Sequence, residues 1–355
     1  MDPAALRAQF PVLREKAYLN AGTCGPLPEA AVEAAAATFR AAADEGRAMP
    51  RFERLIETRQ QVREAYAERL RARPEDVALT TSTSDGVSRV VAGLGLGAGD
   101  EVITSDTEHP ALYGPLIAAR KRGATVRAVP LADVRDAIGP STTLVACQHV
   151  DWTTGEVVPD LSGVEPPVLL DGAQGIGAID VDVEALGCSF YAGAGQKWLC
   201  GPEGTGMLWV SPRWRERLEP ISPGYLNLAE PGAGLETDTW PDARAYDAPN
   251  VSLESWSAGL AAHAVLAEFG WPDVHARATD MAARFAGELR ERGRTVAPRG
   301  ATTLVTWEMP GAEELPKQLV GQGIVIRNLP GTPYVRASIG AWNDESDLER
   351  LLAAL

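Results

Sequence analysis

Val168-Leu169-Leu170-Asp171-Gly172-Ala173-Gln174 opens the segment on which the reading of this chain turns, and Gly195-Gln196-Lys197-Trp198 and Gly201-Pro202-Glu203-Gly204-Thr205-Gly206 complete it. The three apolar residues read as a buried strand that delivers Asp171 at its carboxyl end. Similar runs surround it: Val77–Thr80, Glu101–Thr104, Thr143–Ala146 and Gly206–Val210. Between these lie the helical patterns Ala30–Ala43, Ile56–Arg71 and Asp85–Ala92. Alternation of buried strand and helix predicts a mostly parallel sheet covered on both faces. In such sheets ligands sit beyond the carboxyl ends of the strands, so the residues that follow each strand matter most.

From Ile221 to Asn250 periodicity is lost and Gly, Pro and Asp become frequent, the pattern of a long connection. Helices are expected over Leu253–Phe269 and Asp280–Arg292, strands over Thr302–Trp307, Gly323–Arg327 and Tyr334–Ser338, and a closing helix over Asp344–Leu355. That tail reads as a small α+β domain.

Composition removes several function classes. The 355 residues include 33 Lys and Arg against 48 Asp and Glu, a formal charge of −15. Phosphate backbones and anionic membranes repel such a surface, so no nucleic-acid or membrane partner is expected. Cys24, Cys147, Cys188 and Cys200 form no CxxC pair, which argues against a zinc site and a disulfide framework; no metal is expected. Met1-Asp2-Pro3 starts no signal-peptide pattern and no apolar run reaches membrane-span length, so the expected location is cytoplasmic. Gly93 to Gly99 offers glycines near dinucleotide-fingerprint spacing, but they follow a helix and lead into a strand, the reverse of what that motif requires. A helix cap and turn is the better reading, and it removes a nucleotide-dependent dehydrogenase.

One chemistry accounts for the central segment as a set. Pyridoxal phosphate needs a lysine amine for a Schiff base, which Lys197 supplies from a tight loop. Its ring nitrogen must stay protonated, which a carboxylate such as Asp171 secures. An amide such as Gln174 suits the phenolic oxygen, and the hydroxyl-rich turn Thr80–Gly86, opening a helix, suits the phosphate.

These residues also resemble a known family. Asp171-Gly172-Ala173-Gln174 with Gln196-Lys197 and the Gly-Pro-x-Gly-x-Gly run is similar to the class V aminotransferase group of fold-type I pyridoxal phosphate enzymes, which includes cysteine desulfurases, C–S lyases, kynureninases and isopenicillin N epimerase-like proteins. The resemblance runs from Tyr18-Leu19-Asn20-Ala21-Gly22 to Arg336-Ala337-Ser338. It implies a large doubly wound domain over 15–245 and a small domain over 246–355 joined by residues 1–14, usually as a homodimer. It also implies that Lys197 forms the Schiff base, Asp171 pairs with the pyridinium and Gln174 donates to the phenolic oxygen. His109 would stack on the ring, Thr83 and Ser84 bind phosphate, Trp152 lie near the cofactor, and Arg336 clamp the substrate carboxylate. The Asn20 segment matches an N-terminal active-site loop.

Departures from the family pattern narrow the activity. Gln196 stands where many relatives have His, and an amide is no general acid or base. Ala194 lacks the hydroxyl found three residues before the lysine in many relatives. Trp152 replaces an Asn used by desulfurases. Arg327-Asn328-Leu329-Pro330-Gly331-Thr332-Pro333-Tyr334 is short and carries no cysteine where desulfurases place their persulfide thiol. The resemblance therefore implies an enzyme acting on a small amino acid through an external aldimine, with C–S cleavage by β-elimination expected and transamination or epimerisation as alternatives. A cofactor-free binding protein on the same fold is disfavoured by the complete residue set. Cys24 is expected to be a packing thiol.

Overall fold

Strand Val168–Asp171 lies at the centre of a seven-stranded sheet in a computed structural model that describes all 355 residues. The strand order is 77–80, 206–210, 190–194, 168–171, 142–148, 101–105 and 125–129. All pairings are parallel except those of Gly206–Val210, which runs antiparallel to both neighbours. Successive residues of the central strands serve opposite layers, as a period of two requires. Val168, Leu170 and Tyr191 enter an apolar cluster on one face with Trp198 and Trp256. Leu169, Phe190 and Ala192 enter the cluster on the other face with Val87, Val90 and Leu116. Each fully buried aliphatic side chain contributes roughly 1.5–3 kcal/mol to holding these layers together.

Two strands of this sheet were not legible beforehand. Phe190–Ala194 contains three Ala or Gly residues in five, which carry little strand preference by themselves. Thr125–Val129 is a largely exposed edge strand, so it lacks the apolar run used to recognise the others. Helices extend further than expected: Met49–Leu70 and Trp271–Glu291 each start with Pro in the first turn, where the missing N–H costs nothing. The expected turn after residue 93 is present, with Gly95 at φ 65° beyond the helix Thr83–Gly93.

The expected strand Gly323–Arg327 is broken into two. Ile324–Val325 pairs in parallel with Ala17–Tyr18, and Arg327–Asn328 pairs antiparallel with Tyr334–Ser338, whose other edge carries Leu304–Glu308. This kink lets the N-terminal segment join the C-terminal domain. A third apolar cluster, from Ala17 and Leu19 through Phe285 and Trp307 to Leu352, fills that domain. Helix Leu253–Glu268 contributes Trp256, Ala262 and Leu266 to the core that lies against the large sheet. The connection over 221–250 is fastened by Asp247, which accepts from Arg59 Nη2 (2.5 Å), Arg63 Nη2 (2.7 Å) and the amide of Leu79 (2.7 Å). No helix is long and apolar enough to cross a membrane.

Candidate active site

The carboxyl ends of the parallel strands and the loop Asn20–Gly25 enclose a cavity of about 210 Å³. Lys197, Asp171, Gln174, His109, Thr83, Ser84 and Trp152 all line it, together with Gly22, Thr23, Ser82, Gln196 and Arg327. Asp171 ends its strand and accepts the amide of Ala173 at 3.0 Å. Burial raises its carboxyl above the ordinary range, opposed by the positive charge of Lys197. Lys197 lies in the turn between the antiparallel strands 190–194 and 206–210, next to Cys200 at φ 54°, a backbone conformation unusual for a residue with a side chain. Burial pushes its amine down to about 8; Asp171 pulls it back up and Arg336 pushes it further down.

The turn is locked from the N-terminal side. Gly25 donates its amide to the carbonyl of Gln196 at 2.8 Å, and a Cβ on Gly25 would collide with the carbonyl oxygen of Lys197. Gln174 donates to the carbonyl of Gly22 at 2.8 Å and accepts from Trp198 Nε1 at 3.0 Å, which fixes its orientation and leaves one amide hydrogen uncommitted. At the opposite end of the cavity, Ser82 caps helix Thr83–Gly93 by accepting the amide of Asp85 at 3.1 Å. The hydroxyl of Thr83 and the side-chain oxygen of Gln196 are buried there without partners.

His109 is the N-cap of helix Pro110–Lys121, and its Nδ1 accepts the amide of Ala111 at 3.1 Å, so any ring proton resides on Nε2. Burial, reinforced by Lys197, Arg327 and Arg336, holds its pKa near 4, and the imidazole is neutral. Its ring meets Trp152 edge-to-face with centroids 5.0 Å apart. Trp152 is held by Nε1 donating to the carbonyl of Thr107 at 2.9 Å and by its amide donating to Gln148 Oε1 at 3.0 Å. Asp151 organises this bend, accepting from Gln148 Nε2 at 2.8 Å and from the amides of Thr153 and Thr154 at 2.6 and 2.9 Å.

Arg336 has no exposed surface. Its Nη1 donates to the carbonyl of Trp152, while Nε and Nη2 have no partner. A Cβ at Gly22 would lie 2.9 Å from Arg336 Nη2 and 2.7 Å from Ser338 Oγ, which puts both against the cavity wall. Burial and the neighbouring Arg327 lower the guanidinium pKa to about 9. Asn20 does not line the cavity; its Oδ1 accepts the hydroxyl of Thr23 at 2.8 Å inside the loop. Cys24 is half-buried beside the cavity, with its thiol pushed up by burial and by Glu203.

Arg327 was missed by sequence reasoning. It stands in a quoted stretch that was read only for the cysteine it lacks. Its Nη1 donates to Thr23 Oγ1 at 3.2 Å and its guanidinium carbon lies 5.8 Å from the Trp152 ring centroid. An arginine at the start of a hairpin whose partner strand bears the expected carboxylate clamp was the available signal.

The donor set fits pyridoxal phosphate. Asp171 is a buried carboxylate with no ion pair, beside an amine of reduced basicity, and the far end offers a helix N-terminus with an orphaned hydroxyl for an anion. The sequence agrees: residues 17–351 match the model of the family described as aminotransferase class-V. The chain belongs to that family. It is a pyridoxal-phosphate-dependent enzyme with the fold-type I architecture.

Proteins similar to this class-V chain include cysteine desulfurases and isopenicillin N epimerases. It is 32% identical to a probable cysteine desulfurase of Methanothermobacter thermautotrophicus over 65% of the chain and 62% of that protein. It is 29% identical to the isopenicillin N epimerase of Streptomyces clavuligerus over 95% of the chain and 93% of that protein. Among solved structures, a complex between the cystine C–S lyase C-DES and its product cysteine persulfide superposes with a TM-score of 0.89. That match has 26% identity and covers 97% of this chain and 98% of the other.

Proposed function

We propose that this enzyme cleaves the C–S bond of a sulfur amino acid that carries an acidic group at each end, cystine being the simplest. The observation that carries the reading is the pair Arg327 and Arg336, directly opposed across an antiparallel strand pairing and free of any carboxylate within the chain, with Arg327 lining the cavity and Arg336 buried behind the lining residue Gly22. Guanidinium groups are the side chains best matched to carboxylates. Arg336 holds the α-carboxylate through its two free nitrogens, and Arg327, nearer the loop, holds the distal one. The likeness to a cystine C–S lyase supports the same choice.

Lys197 would anchor the cofactor, Asp171 would keep its ring nitrogen protonated, and Gln174 would offer its spare amide hydrogen to the phenolic oxygen; Thr83, Ser84 and the helix N-terminus would hold the phosphate, and His109 and Trp152 would bound the ring. When bound, pyridoxal phosphate supplies the electron sink that stabilises negative charge at the substrate Cα. With an amine pKa near 8, Lys197 is poised to remove the Cα proton once substrate has released it. Gln196 is no base and His109, with its pKa lowered to about 4, is a weak one, so neither competes with Lys197 in this role. Loss of the Cβ–S bond then converts cystine and water into pyruvate, ammonia and cysteine persulfide. No thiol lies on the 327–334 hairpin to capture sulfur, and this favours elimination over desulfuration.

Supplying cystine, cysteine and S-methylcysteine to the holoenzyme tests the reading. Pyruvate and persulfide released preferentially from cystine are expected. Alanine and sulfide from cysteine, or racemised amino acid without pyruvate, would overturn it. We further infer that the enzyme works as a homodimer, and that its two domains divide within helix Trp271–Glu291 and not at residue 246 as the sequence led us to expect, since the core side chains change there from one apolar cluster to another.

A further inference from the structure

By resemblance the Asn20 segment belongs to an active-site loop, yet Asn20 itself does not line the cavity. It begins a chain of hydrogen bonds that ends on Arg327, and Thr23, which does line the cavity, is the link. The Thr23 hydroxyl donates to Asn20 Oδ1 at 2.8 Å and accepts from Arg327 Nη1 at 3.2 Å. A hydroxyl has one proton to give and a guanidinium nitrogen can only donate, so the direction of this chain is fixed. Strand pairing assembles it. Ala17–Tyr18 and Ile324–Val325 run parallel, so the segments leaving them, which carry Asn20, Thr23 and Arg327, emerge at the same end. The loop is also tied down on its own side. The amides of Thr23 and Cys24 donate to the carbonyl of Asn20 at 2.9 and 3.2 Å, and Gln174 Nε2 donates to the carbonyl of Gly22 at 2.8 Å.

We propose that Thr23 is a positioning residue for substrate selection: its hydroxyl, oriented by Asn20, holds the Arg327 guanidinium where the distal acidic group of the substrate arrives. The proposal rests on the distal-carboxylate reading above and names what fixes its geometry. Within the chain Arg327 meets only neutral acceptors, its Nε donating to the carbonyl of Asn328 at 3.1 Å and its Nη1 to Thr23. The remaining N–H groups, all on the terminal nitrogens, are left for a carboxylate. A carboxylate at position 23 would hold the guanidinium as firmly but neutralise it. A hydroxyl holds it and leaves its charge to the substrate. An arginine free to sample its rotamers would lose that freedom on binding, and the affinity would fall accordingly. The Trp152 ring, its centroid 5.8 Å from the guanidinium carbon, further limits its travel.

The α-carboxylate clamp does not depend on this chain. Arg336 is held by the carbonyl of Trp152 and makes no contact with the Thr23 hydroxyl. Loss of that hydroxyl should therefore change the choice between substrates.

Steady-state kinetics of the holoenzyme with cystine and S-methylcysteine test the role. Thr23→Val keeps the branched shape and removes the hydroxyl. It should raise KM for cystine roughly three- to tenfold with little change in kcat, and kcat/KM for cystine relative to S-methylcysteine should fall by that factor. Thr23→Ser, which keeps the hydroxyl, should hold the ratio near that of the unaltered protein. In an Arg327→Ala background Thr23→Val should lower the ratio no further, because two residues acting through one contact are not additive. A ratio unmoved by Thr23→Val, lowered as much by Thr23→Ser, or lowered again in the Arg327→Ala background would overturn the role of Thr23 and leave the distal-carboxylate reading intact. A ratio unmoved by Arg327→Ala would overturn both. Should Thr23→Val lose its yellow colour, Thr23→Ala decides by the same ratio.

Discussion

Arg327 and Arg336 are cross-strand partners in the C-terminal hairpin; the Arg327 guanidinium lines the cavity and that of Arg336 lies directly behind Gly22 of its wall. Two cations this close repel, and burial strengthens the effect: Arg327 contributes to holding the Arg336 pKa near 9. Substrate carboxylates would relieve that repulsion. Replacing Arg336 with Ala should therefore lower kcat/KM by roughly 10²–10³ for every amino acid, the loss of a desolvated charge-assisted pair. Replacing Arg327 with Ala should raise KM for cystine at least roughly tenfold yet leave S-methylcysteine almost unaffected. Equal losses on both substrates would remove Arg327 from the distal subsite.

Lys197 and Asp171 should separate in their signatures. In Lys197→Ala, borohydride should no longer fix the cofactor to the protein, and turnover should drop to background. Asp171→Asn preserves the acceptor for the Ala173 amide but removes the charge, so the cofactor should bind and remain reducible onto Lys197 while kcat falls by about 10³ or more. Absorbance spectra and mass spectrometry of the reduced proteins check both. An Asp171→Asn enzyme with ordinary kcat would refute the role given to that carboxylate.

Gly25→Ala should disturb the site from a residue that does not itself line the cavity. The added methyl would meet the carbonyl of Lys197, a backbone atom that cannot swing aside, so the lysine turn or the 20–25 loop must shift. Overpacking of this kind costs about 1–3 kcal/mol. The expected result is a lower Tm of the apoprotein and kcat reduced roughly tenfold or more, measured by calorimetry and pyruvate release. Unchanged values in both would show that the loop yields freely.

Stability should depend on pH in a direction set by four histidines. Burial is the first cause of depression for His109, His149, His263 and His275, each held to about 4. A lowered folded-state pKa means that the unfolded chain binds more protons between about 4 and 6.5, so stability is full above 6.5 and is lost as pH falls. Glu108 acts oppositely: burial raises its carboxyl to about 8, so its contribution is present at low pH and fades from about 4.5 to 8. Four groups outweigh one below 6.5, where each contributes up to about 1.4 kcal/mol per pH unit. Tm should climb from pH 4.5 to 6.5 and decline gently toward 8, and Glu108→Gln should flatten the decline and steepen the climb. A Tm higher at pH 5 than at 6.5 would contradict this balance.

The linear sequence determined a good deal of this protein. Continuous apolar runs placed five strands of the large sheet, and a strand's end is a topological position, so the sequence alone puts Asp171 and the turn bearing Lys197 at the ligand-binding edge. The chemistry of a carboxylate, an amide and a lysine needs little more than those positions. What tertiary structure decided is everything that depends on segments far apart in the chain. Thr23 and Arg327 are 304 residues apart and touch only because Ala17–Tyr18 pairs with Ile324–Val325. The second arginine, the closed N-terminal loop and the depressed amine of Lys197 arise from that closure, since desolvation and charge proximity are properties of a folded volume and not of a residue's neighbours in sequence.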